Sequence, residues 1–365
     1  MDVCPFELIQ SIHVGQFHIF FVDSDGSVWG AGDNSDGQLG VGDEKTRDRL
    51  TQVIDLPPIS SIACGYRHSL FLDTDGYVWV CGYNRYGQLG INNYSCRNVP
   101  VRLENLPTIK AISCLQDFSL FLDDNGEVWG SGNNQFGQLG LGPTKKRSTI
   151  PEKLPGISVK IAAISAGVSH SLFLGEDGCV WGCGLDYEGP TRLRNAPQTY
   201  YPHRLEYLPG NCVAIQSSPL HNYSMVLDAN HSIWGVSALV QPGQPDFAFV
   251  ETAPAIDGIP VAAIFCGNQD FCLSLEGTVH YFRSNCAESV VLKNVVVRYA
   301  YSGEGYVIFV DIEGCIWLKG ELPFTDFYLL HERTWFGNEC KKLTEVKMAL
   351  DVPLSIRKIK SANNV

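Results

Sequence analysis

Thirteen cysteines and nine histidines are the side chains in this sequence with the chemistry of metal ligands, nucleophiles or proton carriers. Cys179 and Cys183 lie close enough along the chain to form half of a tetrahedral zinc site. Imidazoles such as His18, His68 and His170 titrate near neutral pH, which suits proton transfer. The glycine pairs Gly30/Gly32 and Gly182/Gly184 invite comparison with phosphate-cradling loops. Each chemistry makes a further demand that the sequence does not meet. No glycine-rich loop runs into Lys-Ser/Thr, no G-x-S-x-G elbow exposes a serine, and no H-E-x-x-H sets two histidines on one helix face. The spacing of these residues against the rest of the chain is more informative.

The elements that must carry them repeat. DSDGSVWGAG (23 to 32), DTDGYVWVCG (73 to 82), DDNGEVWGSG (123 to 132), GEDGCVWGCG (175 to 184), DANHSIWGVS (228 to 237) and DIEGCIWLKG (311 to 320) align without gaps, and SLEGTVHYFR (274 to 283) fits more loosely. The tryptophan column reads Trp29, Trp79, Trp129, Trp181, Trp234, His280 and Trp317, with steps of 37 to 53 residues. Cys64, Cys114 and Cys266 then fall in one column with Val14 and Ala166, and Cys81 and Cys183 share a column with Ala31 and Ser131. Cys179 and Cys315 follow the hairpin glycine, where other copies carry Ser, Tyr, Glu or Thr. His18, His68 and His170 share theirs with Phe118, Tyr223, Gln269 and Tyr306. Columns that accept Val, Ala or Phe are filled for packing, so the sequence predicts no metal site, no cofactor and no catalytic residue. The recurring tryptophans read as packing between neighbouring units.

Within one period, ISSIACG (59 to 65), HSLFLD (68 to 73), YVWVCG (77 to 82) and VPVRLE (99 to 104) are strands separated by turn residues. The Asp-Gly and Asn-Gly pairs supply the positive φ of a tight hairpin between the second and third. A lone four-stranded sheet with two apolar faces must be covered on both sides, and radial stacking of about 4 to 8 such sheets does so. The predicted fold is therefore all-β: a seven-bladed β-propeller of four-stranded antiparallel blades in one domain, 1–365. Its units run 9–58, 59–108, 109–159, 160–211, 212–260, 261–294 and 295–354. The first-strand pattern occurs an eighth time, in SIRKIKSANN, and this segment (355–365) is expected to close the ring by pairing the chain ends and removing exposed edges.

With 45% hydrophobic residues and 36 glycines, the composition is that of a turn-rich globular protein. A net charge of −12 repels phosphate backbones, so no direct nucleic-acid partner is expected. The short basic clusters at Lys45 to Arg49, Lys145 to Arg147 and Arg357 to Lys360 read as solvated loops. MDVCPFELIQSIHVG lacks a basic start followed by an apolar run, and no apolar stretch approaches the roughly 18 residues of a membrane span. The expectation is an intracellular monomer, cytoplasmic or nuclear, with no membrane partner.

GDNSDGQLG (32 to 40), GYNRYGQLG (82 to 90) and GNNQFGQLG (132 to 140) follow the tryptophan strand. With GYRHSLFLDTDGYVW (65 to 79), they resemble the repeat of the regulator-of-chromosome-condensation family rather than WD repeats, whose period is shorter at about 40 to 45 residues. Because consecutive strands are antiparallel, the loops between strands one and two share a rim with the GQLG loops. Those loops vary while their flanks repeat, as a partner-binding surface does. They include Tyr66 and Arg67, Gln116 and Asp117, and segments around His221, Asp270 and Glu304. The first reading is a scaffold that presents this rim to a protein partner, without chemistry of its own. The alternative follows from the resemblance: a guanine-nucleotide exchange factor or regulator for a Ran-type small GTPase, whose founding member uses acidic and histidine side chains on these loops. By analogy the residues to test are Asp117, His221, Asp270 and Glu304.

Overall fold

The repeated hairpin is closed by two residues with separate tasks. Asp23 ends the first arm, and its Oδ1 accepts from the amides of Asp25 (3.0 Å) and Ser27 (2.9 Å), while its Oδ2 accepts from the indole Nε1 of Trp29 (3.1 Å). Gly26 provides the turn with φ 79°, and a Cβ there would lie 2.9 Å from Pro58 Cβ. The same aspartate-to-indole bond recurs from Trp79 to Asp73 (3.0 Å), from Trp129 to Asp123 (3.1 Å) and from Trp234 to Asp228 (3.1 Å). In the fourth copy Gly175 replaces the aspartate. The buried Nε1 of Trp181 accordingly has no partner among the described residues.

The structure is a computed structural model that describes residues 8–185, 199–206, 208–219, 223–237, 260–266, 270–283, 286–290, 296–303, 306–311, 315–320 and 341–348. Every regular element among them is a β-strand, and no helix is long and apolar enough to cross a membrane. The chain is an all-β propeller. Each repeat runs strand by strand: β1 (Leu8–Val14), β2 (His18–Asp23), β3 (Val28–Gly32) and β4 (Arg47–Gln52) pair antiparallel in that order, with Phe21 opposite Trp29. Phe71 and Trp79, Phe121 and Trp129, and Phe173 and Trp181 keep the same register in the next three repeats.

The expected count of seven separate blades is corrected. The described strands form six sheets: four of four strands, one of three, and one of eight. The eight-stranded sheet arises because β27 (Lys341–Met348), which follows β24 (Val297–Gly303), β25 (Tyr306–Asp311) and β26 (Cys315–Gly320), lies parallel against β1, with Leu8 opposite Lys347 and Ile9 opposite Met348. Two edges with unpaired backbone groups satisfy each other, which merges the first and last repeats into one hydrogen-bonded sheet. The ring closure placed at 355–365 is corrected with it. Those residues lie outside the described ones, and β27 is the strand that meets β1.

Apolar side chains gather between repeats rather than within them. Phe20, Val22, Val28, Leu39 and Val53 of the first repeat pack with Ile59, Ile62, Phe71 and Cys81 of the second. Leu70, Val80 and Leu89 of the second repeat likewise meet Ile109, Cys114 and Phe121 of the third. Phe20 and Phe71 meet edge to face at 5.2 Å. Burial of each such ring contributes about 1.5–3 kcal/mol. Cohesion is therefore a sum over neighbouring pairs.

Candidate partner-binding rim

The turn between the first two strands is built on a glycine and a histidine. Gly15 N donates to His18 O (2.8 Å), and the same bond recurs at Gly65/His68 (2.9 Å) and Gly167/His170 (2.8 Å). The imidazole folds over the glycine, so a Cβ on Gly65 would sit 2.4 Å from His68 Cε1. The loop is then pinned to the start of the GQLG loop: Phe17 O accepts from Asp33 N (2.8 Å), Arg67 O from Tyr83 N (2.8 Å) and Asp117 O from Asn133 N (2.9 Å). Gly32, Gly82 and Gly132, at φ 105°, 103° and 106°, permit this approach, since a Cβ on any of them would meet that carbonyl oxygen at 2.4 Å. The second glycine of the G-x-G pair is thus a loop-packing residue and not a phosphate cradle.

The GQLG loop latches each repeat to the next. Inside it, Asn34 Oδ1 accepts from Leu39 N (2.9 Å) and Gln38 Oε1 from Asp36 N (3.0 Å). Outside it, Gln38 O accepts from Ser69 Oγ (2.7 Å) and from the thiol of Cys81 (3.2 Å), both in the second repeat. Gln88 O accepts likewise from Ser119 Oγ (2.8 Å) and Ser131 Oγ (3.1 Å), and Gln138 O from Ser171 Oγ (2.6 Å) and Cys183 Sγ (3.5 Å). Because the single proton of Ser69 goes to Gln38 O, the 3.1 Å contact of Ser69 Oγ with His18 Nε2 must be donated by the histidine. His68 stands in the same relation to Ser119 at 3.0 Å. Both rings are therefore assigned the Nε2–H tautomer, and their buried Nδ1 atoms have no partner among the described residues. Burial lowers His18 and His170 to about 4 and His68 to about 3; nearby Asp33 partly offsets the effect at His18, and His18 adds to it at His68.

These histidines and small residues do more than fill space, which their columns alone did not reveal. The signal lay in pairs of columns: Ser69, Ser119, Ser171 and Ser224 directly follow His68, Phe118, His170 and Tyr223. Burial pushes the thiols of Cys64, Cys81, Cys114 and Cys183 well above the ordinary range, which holds them as neutral hydrogen-bonding or packing groups. Among the described residues no three His, Cys, Asp or Glu side chains gather as a metal site.

On the outside of this frame the first three repeats bring Asp36, Arg67 and Asp117 together. Arg67 Nη1 pairs with Asp36 Oδ2 at 3.3 Å, and the guanidinium Cζ lies 5.4 Å from the centre of the Tyr66 ring, which meets Phe17 edge to face at 5.3 Å. The third loop departs from those of the first, second and fourth repeats: Leu115 replaces the glycine, Phe118 the histidine, and Gln116 takes φ 40°. Asp117 Oδ1 accepts from Gln88 Nε2 (3.3 Å), whereas Gln38 donates to Asp33 of its own loop (2.9 Å). Tyr83 fills the place of Asp33 in the second loop, so Gln88 reaches across to the next repeat. No ion pair reaches Asp117 among the described residues, and burial raises its carboxyl to about 6, with Arg67 pulling the other way.

Of the other residues singled out from sequence, His221 and Glu304 lie outside the described residues. Asp270 is not in a loop. It is the first residue of β21 (Asp270–Ser274), opposite Phe282, at the register that Ser69 and Ser119 hold in their repeats. The structure thus groups Tyr66, Arg67 and Asp117, and separates Asp270 from the loop position assigned to it.

A propeller whose repeats are joined by loop carbonyls gripped by the following repeat is a latched-repeat propeller. Two family models described as the regulator of chromosome condensation (RCC1) repeat match it, one at residues 9–38, 59–88, 109–138 and 161–189, the other at 25–72, 75–122 and 125–174. The chain belongs to the RCC1-repeat family. Among solved structures, human WBSCR16 is 22% identical with a TM-score of 0.70, over 82% of this chain and 85% of that one. Prp20p of Saccharomyces cerevisiae is 21% identical with a TM-score of 0.64, over 86% and 82%. The ectodomain of the Arabidopsis thaliana receptor kinase ACR4 is 12% identical with a TM-score of 0.53, over 87% and 96%. At these identities the likeness concerns the fold. No curated protein sequence matches the chain.

Proposed function

We propose that the chain is a protein-interaction scaffold without chemistry of its own, acting inside the cell, and that its loop rim over the first three repeats takes the partner. The observation that carries this reading is the meeting of Asp36, Arg67 and Asp117 from three consecutive repeats beside Phe17, Tyr66, Tyr83 and Tyr86. Arginine, tyrosine and paired charge on a rigid frame are the composition of interface hot spots. The opposite face presents hairpin tips such as Ser24, Asp25, Thr74, Asp75, Asp124 and Asn125, which offer little apolar surface. Prp20p, similar in fold, has been described with binding properties to Gsp1p and histones, and yeast RCC1 (Prp20) bound to Kap60.

The second reading is nucleotide exchange on a Ran-type GTPase, and it is favoured by Asp117, a half-buried carboxylate that makes no ion pair among the described residues although Arg67 is near. The test is a pull-down with the wild-type chain and with Arg67→Ala/Asp117→Ala, each verified as folded, together with a nucleotide-release assay on a Ran-type GTPase. The scaffold reading expects partners lost from the variant and no acceleration of release. Equal recovery of every partner by the variant would place the functional surface elsewhere.

A further inference from the structure

A second surface, flanking the GQLG loops and argued independently of that reading, lies on the outer strands of the second, third and fourth repeats. We propose that this belt docks an acidic segment of a partner protein, gripped by Lys146 and Arg147 between the rings of Tyr94 and Tyr200. The run Lys145 to Arg147 leads into β12 (Arg147–Lys153). Its first charge is already spoken for: Lys145 Nζ pairs with Glu152, whose other oxygen accepts from the buried Ser148 hydroxyl. Lys146 and Arg147 are exposed, and among the described residues neither has a carboxylate partner. Instead the Arg147 guanidinium lies 4.8 Å from the centre of the Tyr94 ring, and the Lys146 ammonium 5.2 Å from that of Tyr200.

Several cations elsewhere on the propeller have carboxylate partners, whereas Arg102 likewise stacks on a tyrosine, 3.6 Å from the centre of the Tyr77 ring. Arg47 pairs with Asp43, Arg67 with Asp36, Lys153 with Glu127 and Arg204 with Glu206. In a chain of net charge −12, two adjacent uncompensated cations make a local field opposite in sign to the whole. Apolar surface sits beside them: Tyr94 is 47% exposed, Ile150 46% and Tyr201 55%. The backbone beneath is fixed before any ligand arrives. Asn134 N donates to Lys146 O (2.8 Å), Asn92 N to Thr149 O (2.8 Å) and Gly142 N to Tyr200 O (3.0 Å). Aromatic faces hold the cations in place while leaving their donors turned to solvent, a preorganised arrangement for carboxylates. Nucleic acid fits less well, because two free cations displace few counterions and the net charge opposes a phosphate backbone.

The probe is a fluorescein-labelled nonapeptide of four glutamates on each side of one phenylalanine, titrated with the full chain and read by fluorescence anisotropy. The expected Kd at low salt is below about 1 mM, and K146E/R147E is expected to weaken it at least about tenfold. The charge-matched variant K45E/K160E, altered at exposed lysines away from the belt, controls for the change in net charge and should shift binding less than about twofold. The neutral variant K146Q/R147Q, checked by its melting temperature, should weaken binding in the same direction as the reversal. No binding by wild type, or equal loss in the charge-matched control, overturns the proposal. Tighter capture of a twelve-residue oligothymidylate than of the peptide overturns it in favour of nucleic acid.

Discussion

The fourth repeat contains a natural deletion of the hairpin's central side chain, and restoring it gives a signed test of the bonding scheme. In the third repeat Asp123, 1% exposed, accepts from Asn125 N (2.9 Å), Glu127 N (2.8 Å) and Trp129 Nε1 (3.1 Å). In the fourth, Gly175 leaves the Trp181 indole without a partner, and Asp177 Oδ1 accepts from Cys179 N (3.0 Å) in partial compensation. Gly175→Asp would supply the indole acceptor and would narrow the unfolded ensemble, the latter alone worth about 0.4–1 kcal/mol. A hydrogen bond to a charged acceptor adds about 1.5–3 kcal/mol. Against this, the new Cβ would lie 2.3 Å from Asp177 Oδ1, so the exposed Asp177 side chain must swing outward. The sequence already tolerates an aspartate two residues further on, at Asp23/Asp25 and Asp73/Asp75. The net expectation is a gain of about 1–2 kcal/mol. Asp123→Ala, which strands three donors, should lose about 3 kcal/mol or more. Urea denaturation followed by tryptophan fluorescence reads both. A destabilised Gly175→Asp, or an Asp123→Ala no worse than a surface substitution, would refute the claim that this aspartate holds the tryptophan.

Gly65→Ala should cost more than about 2 kcal/mol, because its Cβ meets a buried imidazole bolted to Ser119, whereas Gly42→Ala, with nothing within 4 Å, should cost only the strain of its φ of 90°; thermal melts of the two variants check the contrast. His18, His68 and His170 are neutral at pH 7 folded or unfolded, but their lowered values mean that the unfolded chain takes up protons first as pH falls below 6.5. Stability should fall between pH 6.5 and about 4 by about 1–2 kcal/mol per histidine at pH 5, and His68→Gln should flatten that slope in denaturant titrations. Asp117 titrates in the opposite sense. Its folded value of about 6 exceeds the unfolded one, so its favourable contribution is present at low pH and is lost as pH rises through 6. Asp117→Asn should therefore be the more stable protein at pH 7.5, by about 1 kcal/mol after allowance for partial exposure, and indistinguishable from wild type at pH 4.

The parts of this architecture that were legible in the sequence are those written as local chemistry. Asp-Gly turns, period-two apolar strands and the GQLG spacing identified the hairpins, the repeat and the family. Bonds between side chains six residues apart, such as Trp79 to Asp73, were hidden because aspartate at a hairpin already has a reason to be there. The seam donors were hidden differently. Serine and cysteine in the column of Ala31 look like small packing residues, yet Ser131 and Cys81 each donate to a carbonyl more than forty residues upstream. The number of sheets depended on the pairing of Leu8 with Lys347, a contact between chain ends that no local pattern encodes. The loop positions of Tyr66, Arg67 and Asp117 between first and second strands followed from the phase of the repeat. Asp270 was misplaced because the weaker sixth copy shifted the apparent loop boundary by one residue into β21.

The latch between repeats has a direction, and direction matters to a chain made from one end. Gln38 is gripped by Ser69 and Cys81, residues synthesised later, and Gln88 by Ser119 and Ser131 in turn. A repeat leaving the ribosome therefore holds an open carbonyl and an undonated histidine until the next repeat has emerged behind it. Assembly runs one unit in arrears, and a stall in translation would leave a growing edge with a known shape: a GQLG loop waiting for its serine.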